Sequence, residues 1–175
     1  MKIIKFQTIV STNLLAKKLA RKGARPWTVV ISEEQSSGYG RKKSSWFSPR
    51  GGLYFSVILP KIEIRTLQAL TMISAFVLAK VLKDNFSLEP FIKLPNDIFL
   101  RDKKVAGILI ENVIGNEIKA SVVGIGLNTN IDSFPSALNN KATSLKIEMG
   151  REVDNLEILE ETIKEFKRQL KSGSP

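Results

Sequence analysis

Cysteine and histidine are both absent from the 175-residue sequence. Without cysteine the chain forms no disulfide and has no thiolate nucleophile, and without histidine it lacks the commonest metal ligand and general base. Ser-His-Asp hydrolysis and a histidine-ligated zinc site are therefore excluded. The sequence also has no run of 18 or more apolar residues, and its charged first five residues are too short for a signal peptide. We expect a cytoplasmic protein without a membrane partner.

The formal net charge is +10, yet lysine and arginine are spread along the chain and acidic residues are mixed in throughout. This distribution favours a solvated basic surface, so no nucleic-acid partner is predicted. A basic surface also suits anionic substrates such as nucleotides, or an acidic protein partner, through electrostatic steering. The length and the 43% hydrophobic content fit one globular domain. We assign it to residues 1–171, with a frayed tail at 172–175.

The apolar pattern predicts an α+β fold, in which helices flank a mixed, largely antiparallel sheet. A strand at residues 2–10 runs into a helix that starts at Ser11-Thr12-Asn13, and the main core helix is expected at residues 65–82. Gly115-Asn116 is a two-residue hairpin signal between two strands. Asp154 is placed to cap a last amphipathic helix.

A long polar stretch runs from Glu33 to Gly52, and loops of this length in compact domains are usually functional or mobile. Within it, glycines permit close backbone approach, and the successive cations Arg41, Lys42 and Lys43 can neutralise phosphate oxygens. A phosphate-closing loop and a flexible basic surface loop are equally consistent with this composition.

A second group of polar residues surrounds Pro95, which breaks a predicted sheet. There Lys93, with Asn96 and Asp97, could hold a carboxylate and a phosphate together, with Asp97 near a magnesium ion. A surface lysine before a Pro-Asn-Asp turn is the alternative, and it is favoured if nothing else supports the site.

Two further motifs are weaker on local grounds. Ser11-Thr12-Asn13 at a helix start could grip an amide-like ligand or an anion, although plain helix capping is the favoured interpretation. Gly124 to Asn128 forms a buried strand whose terminal amide suits a purine edge, and the alternative is an ordinary exit from a strand into a loop.

Taken in order, these segments resemble the catalytic domain of the biotin protein ligases, also called biotin–[acetyl-CoA-carboxylase] ligases. The resemblance covers most of the chain. The segments that carry it are Ser11-Thr12-Asn13, the loop Gln35 to Trp46, Trp46 to Ser56, Lys93-Leu94-Pro95-Asn96-Asp97, Lys103 to Glu111, and Gly124 to Asn128. It implies the biotin/lipoate ligase catalytic fold, which is similar to that of class II aminoacyl-tRNA synthetases.

The resemblance also implies a two-step reaction. Biotin and ATP, with Mg²⁺, would give biotinyl-5'-AMP, and the adenylate would then acylate a lysine of a biotin carboxyl carrier protein. Lys93 and Arg41 would be catalytic, and Asp97 would bind the Mg²⁺. The biotin-binding residues would be Ser11, Thr12, Asn13, Gln35, Gly38, Tyr39, Lys93 and Gly107. The nucleotide-binding residues would be Gly40, Arg41, Lys42, Trp46, Asn96 and Asn128.

The sequence departs from the family pattern at several of these positions. Tyr39 stands where the first loop arginine is usual, Lys43 and Ser44 replace a Gly-Arg pair, and Leu94 replaces a tryptophan. We expect the chain to lack the family's C-terminal SH3-like domain and N-terminal winged-helix domain, and hence any DNA-binding role. A homodimer is a candidate assembly, since side-by-side sheet dimers are common in the family. The alternatives are a lipoate- or octanoate-type carrier ligase and a non-catalytic biotin- or carrier-binding homologue.

Overall fold

A seven-stranded sheet with helices on both faces forms the frame of the protein. The structure is a computed structural model that describes residues 1–62 and 64–172. The tail expected at 172–175 thus falls, beyond Ser172, outside the described residues. The elements are β1 (Lys2–Ile9), α1 (Thr12–Arg21), β2 (Thr28–Gln35), β3 (Leu53–Ile58), α2 (Ile64–Phe86), β4 (Pro90–Lys93), β5 (Asp97–Leu100), β6 (Lys103–Ile114), β7 (Ile118–Leu127), α3 (Leu145–Met149) and α4 (Asn155–Ser172), with a short 3₁₀ turn at Arg41–Lys43.

The strand order is β1-β2-β3-β7-β6-β5-β4. Strands β1 and β2 are parallel because helix α1 carries the chain back between them, and the other neighbouring pairs are antiparallel. Strands β6 and β7 form the hairpin that Gly115-Asn116 predicts, closed by a 2.8 Å hydrogen bond from the Gly115 N–H to the Glu117 carbonyl. The predicted α+β fold with a mixed, largely antiparallel sheet is confirmed.

The sheet is buried on both faces at its centre. Every residue of β3 is buried, and the strand contributes side chains to two apolar clusters. Leu53, Phe55 and Val57 join the larger cluster under α2 and α4, whereas Ile58 packs with Ala16 of α1 on the other face. Because α1 is only 10 residues long, it covers only part of its face of the sheet. The candidate site lies at the N-terminal end of α1 on this face.

Helix α2 is the main core helix that the sequence predicts, and it continues past Leu82 to Phe86. By length and composition alone, its segment Arg65–Phe86 is apolar enough to cross a membrane. In the structure it packs against α4 and strands β4 to β6, with Leu70, Leu78 and Leu82 fully buried. Core packing therefore accounts for its apolar character.

Candidate functional site

A cavity of about 300 Å³ opens on the α1 face of the sheet. Its walls are the N-terminus of α1, the loop from Gly38 to Trp46 (the cavity loop), and strands β5 to β7. This volume is at the small end of the range for small-molecule sites. The predicted site residues that line it are Ser11, Thr12, Asn13, Gln35, Tyr39, Gly40, Arg41, Lys42, Trp46, Asn96, Asp97 and Gly107.

The start of helix α1 is held by side chains from two strands. The Thr12 N–H and hydroxyl both donate to Oε1 of Gln35, at 2.8 and 3.2 Å, and the Ser56 hydroxyl lies 2.8 Å from the Thr12 hydroxyl. Ser11 has the extended backbone of an N-cap residue, but its side chain makes no capping hydrogen bond. Plain helix capping therefore does not account for the Ser-Thr-Asn motif, which forms part of the cavity wall.

Asn13 lines the cavity, but its amide is used within the protein. Its Nδ2 donates to Oε2 of Glu111 at 3.0 Å and to the Leu109 carbonyl at 3.4 Å, and its Oδ1 accepts from the Ser56 hydroxyl at 2.5 Å. These bonds tie α1 to β6 and β3, so Asn13 shapes the cavity.

Glu111 joins three elements around this point. Its carboxylate accepts from Asn13, from the Lys17 ammonium of α1, and from the Tyr39 hydroxyl of the cavity loop at 2.7 Å. Burial alone would raise the pKa of Glu111, but these hydrogen bonds outweigh burial and hold the pKa below its ordinary value. Burial, together with the neighbouring carboxylate, raises the pKa of Tyr39. At neutral pH Tyr39 is thus a protonated donor and Glu111 an ionised acceptor.

The cavity loop is held as a compact turn. The Gly40 N–H donates to the Ser44 carbonyl at 2.8 Å, and the Trp46 N–H donates to the Gly38 carbonyl at 2.9 Å. Arg41 reaches across the cavity to Oδ1 of Asn96 at 3.2 Å. Lys42 and Lys43 have φ values of 53° and 59°, in the left-handed region that favours glycine. Such strained backbone is typical of functional loops.

Three glycines, Gly107 of β6 and Gly124 and Gly126 of β7, form the floor of the cavity. A Cβ atom at Gly124 would lie 2.0 Å from Asn13 Oδ1, and one at Gly126 would lie 2.4 Å from Trp46 Nε1. At Gly107 the nearest atom, Cζ3 of Trp46, would be 3.1 Å away. The glycines therefore let Trp46 and Asn13 pack directly against the sheet.

Lys104 is the site residue that the sequence analysis missed. It lines the cavity, where its ammonium lies 2.8 Å from Oδ1 of Asp97 and 5.1 Å from the centroid of the Trp46 ring. The contact with Asp97 is an ion pair without hydrogen-bond geometry. The β5–β6 hairpin brings Lys104 close to Asp97. It sets Lys104 opposite Phe99, which is two residues from Asp97 along β5. The two-residue turn at Arg101-Asp102 fixes this register, because it sets Leu100 opposite Lys103.

Lys93 does not lie where the sequence analysis expected it. It is exposed at the end of β4, outside the lining of the cavity, with its ammonium 5.3 Å from the centroid of the Phe99 ring. Strand β4 is an edge strand that β5 separates from β6, so Lys93 lies at the edge of the sheet. The lysine that the fold brings to the cavity is Lys104.

Two other predicted residues lie behind the cavity. Asn128 is buried outside the lining of the cavity, and its Nδ2 donates to the Thr143 carbonyl at 2.9 Å. Gly38 is buried where an added Cβ would come 2.4 Å from Ser48 Oγ and 2.9 Å from Gln35 Nε2. Neither residue is among those that line the cavity.

The electrostatic character of the cavity is set by three cations and one carboxylate among the described residues that line it: Arg41, Lys42, Lys104 and Asp97. Across the described part of the chain, no cluster of three or more His, Cys, Asp or Glu residues could hold a metal ion. The arrangement therefore suits an anionic ligand that approaches a polar, partly apolar pocket.

Comparison with known proteins gives a consistent result. The model of the biotin/lipoate A/B protein ligase family matches residues 3–128. The bifunctional ligase/repressor BirA of Bacillus spizizenii is 32% identical over 168 residues, which cover 93% of this chain and 52% of the relative. The biotin–[acetyl-CoA-carboxylase] ligase of Paracoccus denitrificans is 35% identical over 160 residues, covering 86% of this chain and 65% of that protein.

Among solved structures, the biotin protein ligase from Aquifex aeolicus in complex with biotin and ATP superposes with a TM-score of 0.86 at 29% identity. The match covers 97% of this chain and 70% of that one. The chain spans about half the length of the two Bacillus BirA relatives. Because the family model matches well over half of its residues, the chain belongs to the biotin/lipoate A/B protein ligase family.

Proposed function

We propose that the protein is an ATP-dependent biotin protein ligase. It activates biotin with ATP to biotinyl-5'-AMP and transfers the biotinyl group to a lysine of a biotin carboxyl carrier protein. The observation that carries the proposal is the meeting of Arg41 and Lys104 with the polar residues Ser11, Thr12 and Gln35 around one cavity. The names of its relatives in Paracoccus and Aquifex, and the biotin and ATP in the Aquifex complex, support the same activity. We assign it to a single catalytic domain, residues 1–171.

In the first step a carboxylate oxygen of biotin attacks the α-phosphorus of ATP, the bond to the pyrophosphate oxygen breaks, and pyrophosphate leaves. Two anions must approach each other, so nearby cations lower the barrier. We assign this role to Lys104, which Asp97 and the Trp46 ring hold in place, and to Arg41 of the cavity loop. Lys104 thus takes the role that the sequence analysis gave to Lys93.

Mg²⁺ enters with ATP as part of the substrate. Magnesium in nucleotide sites is commonly bound by one or two carboxylates together with phosphate oxygens. Asp97 fits this need, since it is the only carboxylate among the described residues that line the cavity. Its Oδ1 also contacts Lys104, so Asp97 would contact both the lysine proposed to act on biotin and the Mg²⁺ bound to ATP.

In the second step the amine of the carrier lysine attacks the acyl carbon, AMP leaves, and the amine proton passes to solvent. The adenylate supplies the reactive acyl group, so no protein nucleophile is needed. This chemistry is compatible with a chain that contains neither cysteine nor histidine.

The test is a two-stage assay with purified protein, ATP and Mg²⁺. Pyrophosphate release with biotin measures the first step, and transfer of labelled biotin to a carrier domain measures the second. Lipoate and octanoate in place of biotin test the alternative ligases. We expect both steps with biotin, and loss of both in Lys104→Ala. Pyrophosphate release with lipoate or octanoate alone would overturn the assignment, and binding of biotin without release would indicate a non-catalytic homologue.

The remaining partners are part of the same proposal. From Leu109 to Ile114, strand β6 pairs with β7 on one side and, among the described residues, with no strand on the other. A free strand edge can pair with another chain, which supports a homodimer. Light scattering across a range of concentrations would test it. We propose no nucleic-acid partner, since the basic residues are dispersed along the sequence. A cytoplasmic location without a membrane partner stays part of the proposal.

A further inference from the structure

The cavity loop is anchored by a residue that differs from the family pattern. Tyr39, where the first loop arginine is usual, has its hydroxyl 2.7 Å from Oε2 of Glu111. Glu111 lies on β6, opposite Val122 of β7, in the continuous part of the sheet. The bond therefore joins a loop to a rigid strand.

The Glu111 carboxylate that accepts this hydrogen bond is also held by other residues. Lys17 and Asn13 both contact its carboxylate, so its charge is neutralised and its position fixed without Tyr39. Asn13 is itself fixed by Ser56 of β3. The acceptor is thus part of a network that spans α1, β3 and β6, and the loop adds one donor to it.

The same segment of the loop carries two cations that line the cavity, Arg41 and Lys42. Tyr39 pairs with Ser45 through an isolated β-bridge, which closes the turn that contains Arg41 and Lys42. Arg41 makes a second, exposed hydrogen bond, at 3.2 Å, to Asn96 in the turn between β4 and β5. Losing the partly buried Tyr39 bond would leave the turn with that exposed hydrogen bond and the packing of Trp46 against the sheet.

We propose that Tyr39 is a positioning residue: by donating to Glu111 it holds Arg41 and Lys42 over the cavity, so that the phosphates of ATP meet a preformed wall. The kinetic part of this inference rests on the proposed ligase function. The structural part does not, because the hydrogen bond is made within the protein. A neutral donor at this position fastens the loop without adding a fourth cation to the cavity.

Hydrogen exchange of the unliganded protein tests the anchor directly. In Tyr39→Phe, the Gly40 and Trp46 amides, which close the turn, should exchange about tenfold faster, as expected from the loss of one hydrogen bond to a charged group. Tyr54→Phe is the matched control, because it removes the sequence's other tyrosine hydroxyl, which donates to the Pro49 carbonyl. It should leave both amides unchanged. Unchanged exchange in Tyr39→Phe would overturn the proposal.

A double-mutant cycle then identifies the partner. Glu111→Gln keeps the shape but offers a weaker, neutral acceptor, so it should speed loop exchange several-fold. In the Tyr39→Phe background the same change should add nothing to exchange of the Gly40 and Trp46 amides. Additive effects would show that Tyr39 and Glu111 act independently, contrary to the proposal.

Steady-state kinetics separate positioning from direct contact with biotin. In Tyr39→Phe we expect the KM for ATP to rise about fivefold and kcat to fall several-fold, because Arg41 also lowers the barrier, with the KM for biotin changed less than twofold. A rise in the KM for biotin alone would make Tyr39 a biotin contact and overturn the positioning role. If the wild type formed no adenylate, the ligase function would fail, and the exchange experiments would still decide whether Tyr39 anchors the loop.

Discussion

Oδ1 of Asp97 and the ammonium of Lys104 lie 2.8 Å apart on the wall of the cavity. The two residues come from neighbouring antiparallel strands, and the Trp46 ring lies beside the ammonium. An ammonium fixed by a carboxylate and an aromatic ring needs little reorganisation when a second anion arrives. This geometry makes Lys104, rather than Lys93, the residue to test first.

Lys104→Ala should lower the rate of adenylate formation by about 10²- to 10³-fold, the usual effect of removing one preorganised donor from a site of charge development. The matched control is Lys93→Ala, which removes an exposed lysine and should change the rate less than about threefold. Pyrophosphate release measures both. A collapse in Lys93→Ala with an active Lys104→Ala would restore the assignment made from sequence.

The fold was predictable in outline because its signals are local. The Gly115-Asn116 turn, the apolar face of α2 and the polar start of α1 each specify an element without long-range information. The resemblance of the ordered motifs predicts that Gln35, Thr12 and Trp46 share a site, and all three line the cavity.

The contacts of individual side chains were not predictable in this way, because they depend on register and burial. Lys93 precedes a turn-forming segment and Lys104 follows one, and the pairing of β5 with β6 decides which of the two reaches the cavity. Asn128 has the right chemistry for a purine, but its amide is bonded to the Thr143 carbonyl. The roles of Gly124 and Gly126 depend on Asn13 and Trp46, which are far away in sequence.

Gly124→Ala should destabilise the protein by about 1–3 kcal/mol, because the new methyl group would lie 2.0 Å from Asn13 Oδ1 and displace that side chain. Gly115→Ala is the control, since there the methyl group meets the flexible end of Lys119 at 2.4 Å. It should cost less than about 0.5 kcal/mol. Chemical denaturation of both variants measures the difference, and equal losses would contradict a role for Gly124 in admitting Asn13.

Lys43→Gly should stabilise the cavity loop by about 0.5–1 kcal/mol, because Lys43 has a φ of 59° that glycine adopts without a Cβ penalty. Lys43→Ala removes the same charge but keeps the penalty, so it separates strain from electrostatics. We expect slower exchange of the Ser44 amide in the glycine variant only. The same slowing in both variants would attribute the effect to charge.

Glu111 should make stability depend on pH in the acid range. Its pKa is lower in the folded protein than its ordinary value of 4.5, because the hydrogen bonds from Lys17, Tyr39 and Asn13 outweigh burial. A group whose pKa is depressed in the folded protein binds protons more readily in the unfolded chain. Its contribution to the free energy of unfolding is therefore complete above about pH 4.5 and is lost as the pH falls towards the folded pKa.

The variant Glu111→Gln cannot ionise. It should be about 1–2 kcal/mol less stable than the wild type at pH 7, and the gap should narrow below pH 4.5. Urea denaturation of both proteins at pH 7 and pH 3.5 measures the gap, and a gap of constant size would mean that the Glu111 carboxylate titrates alike in the folded and unfolded chains.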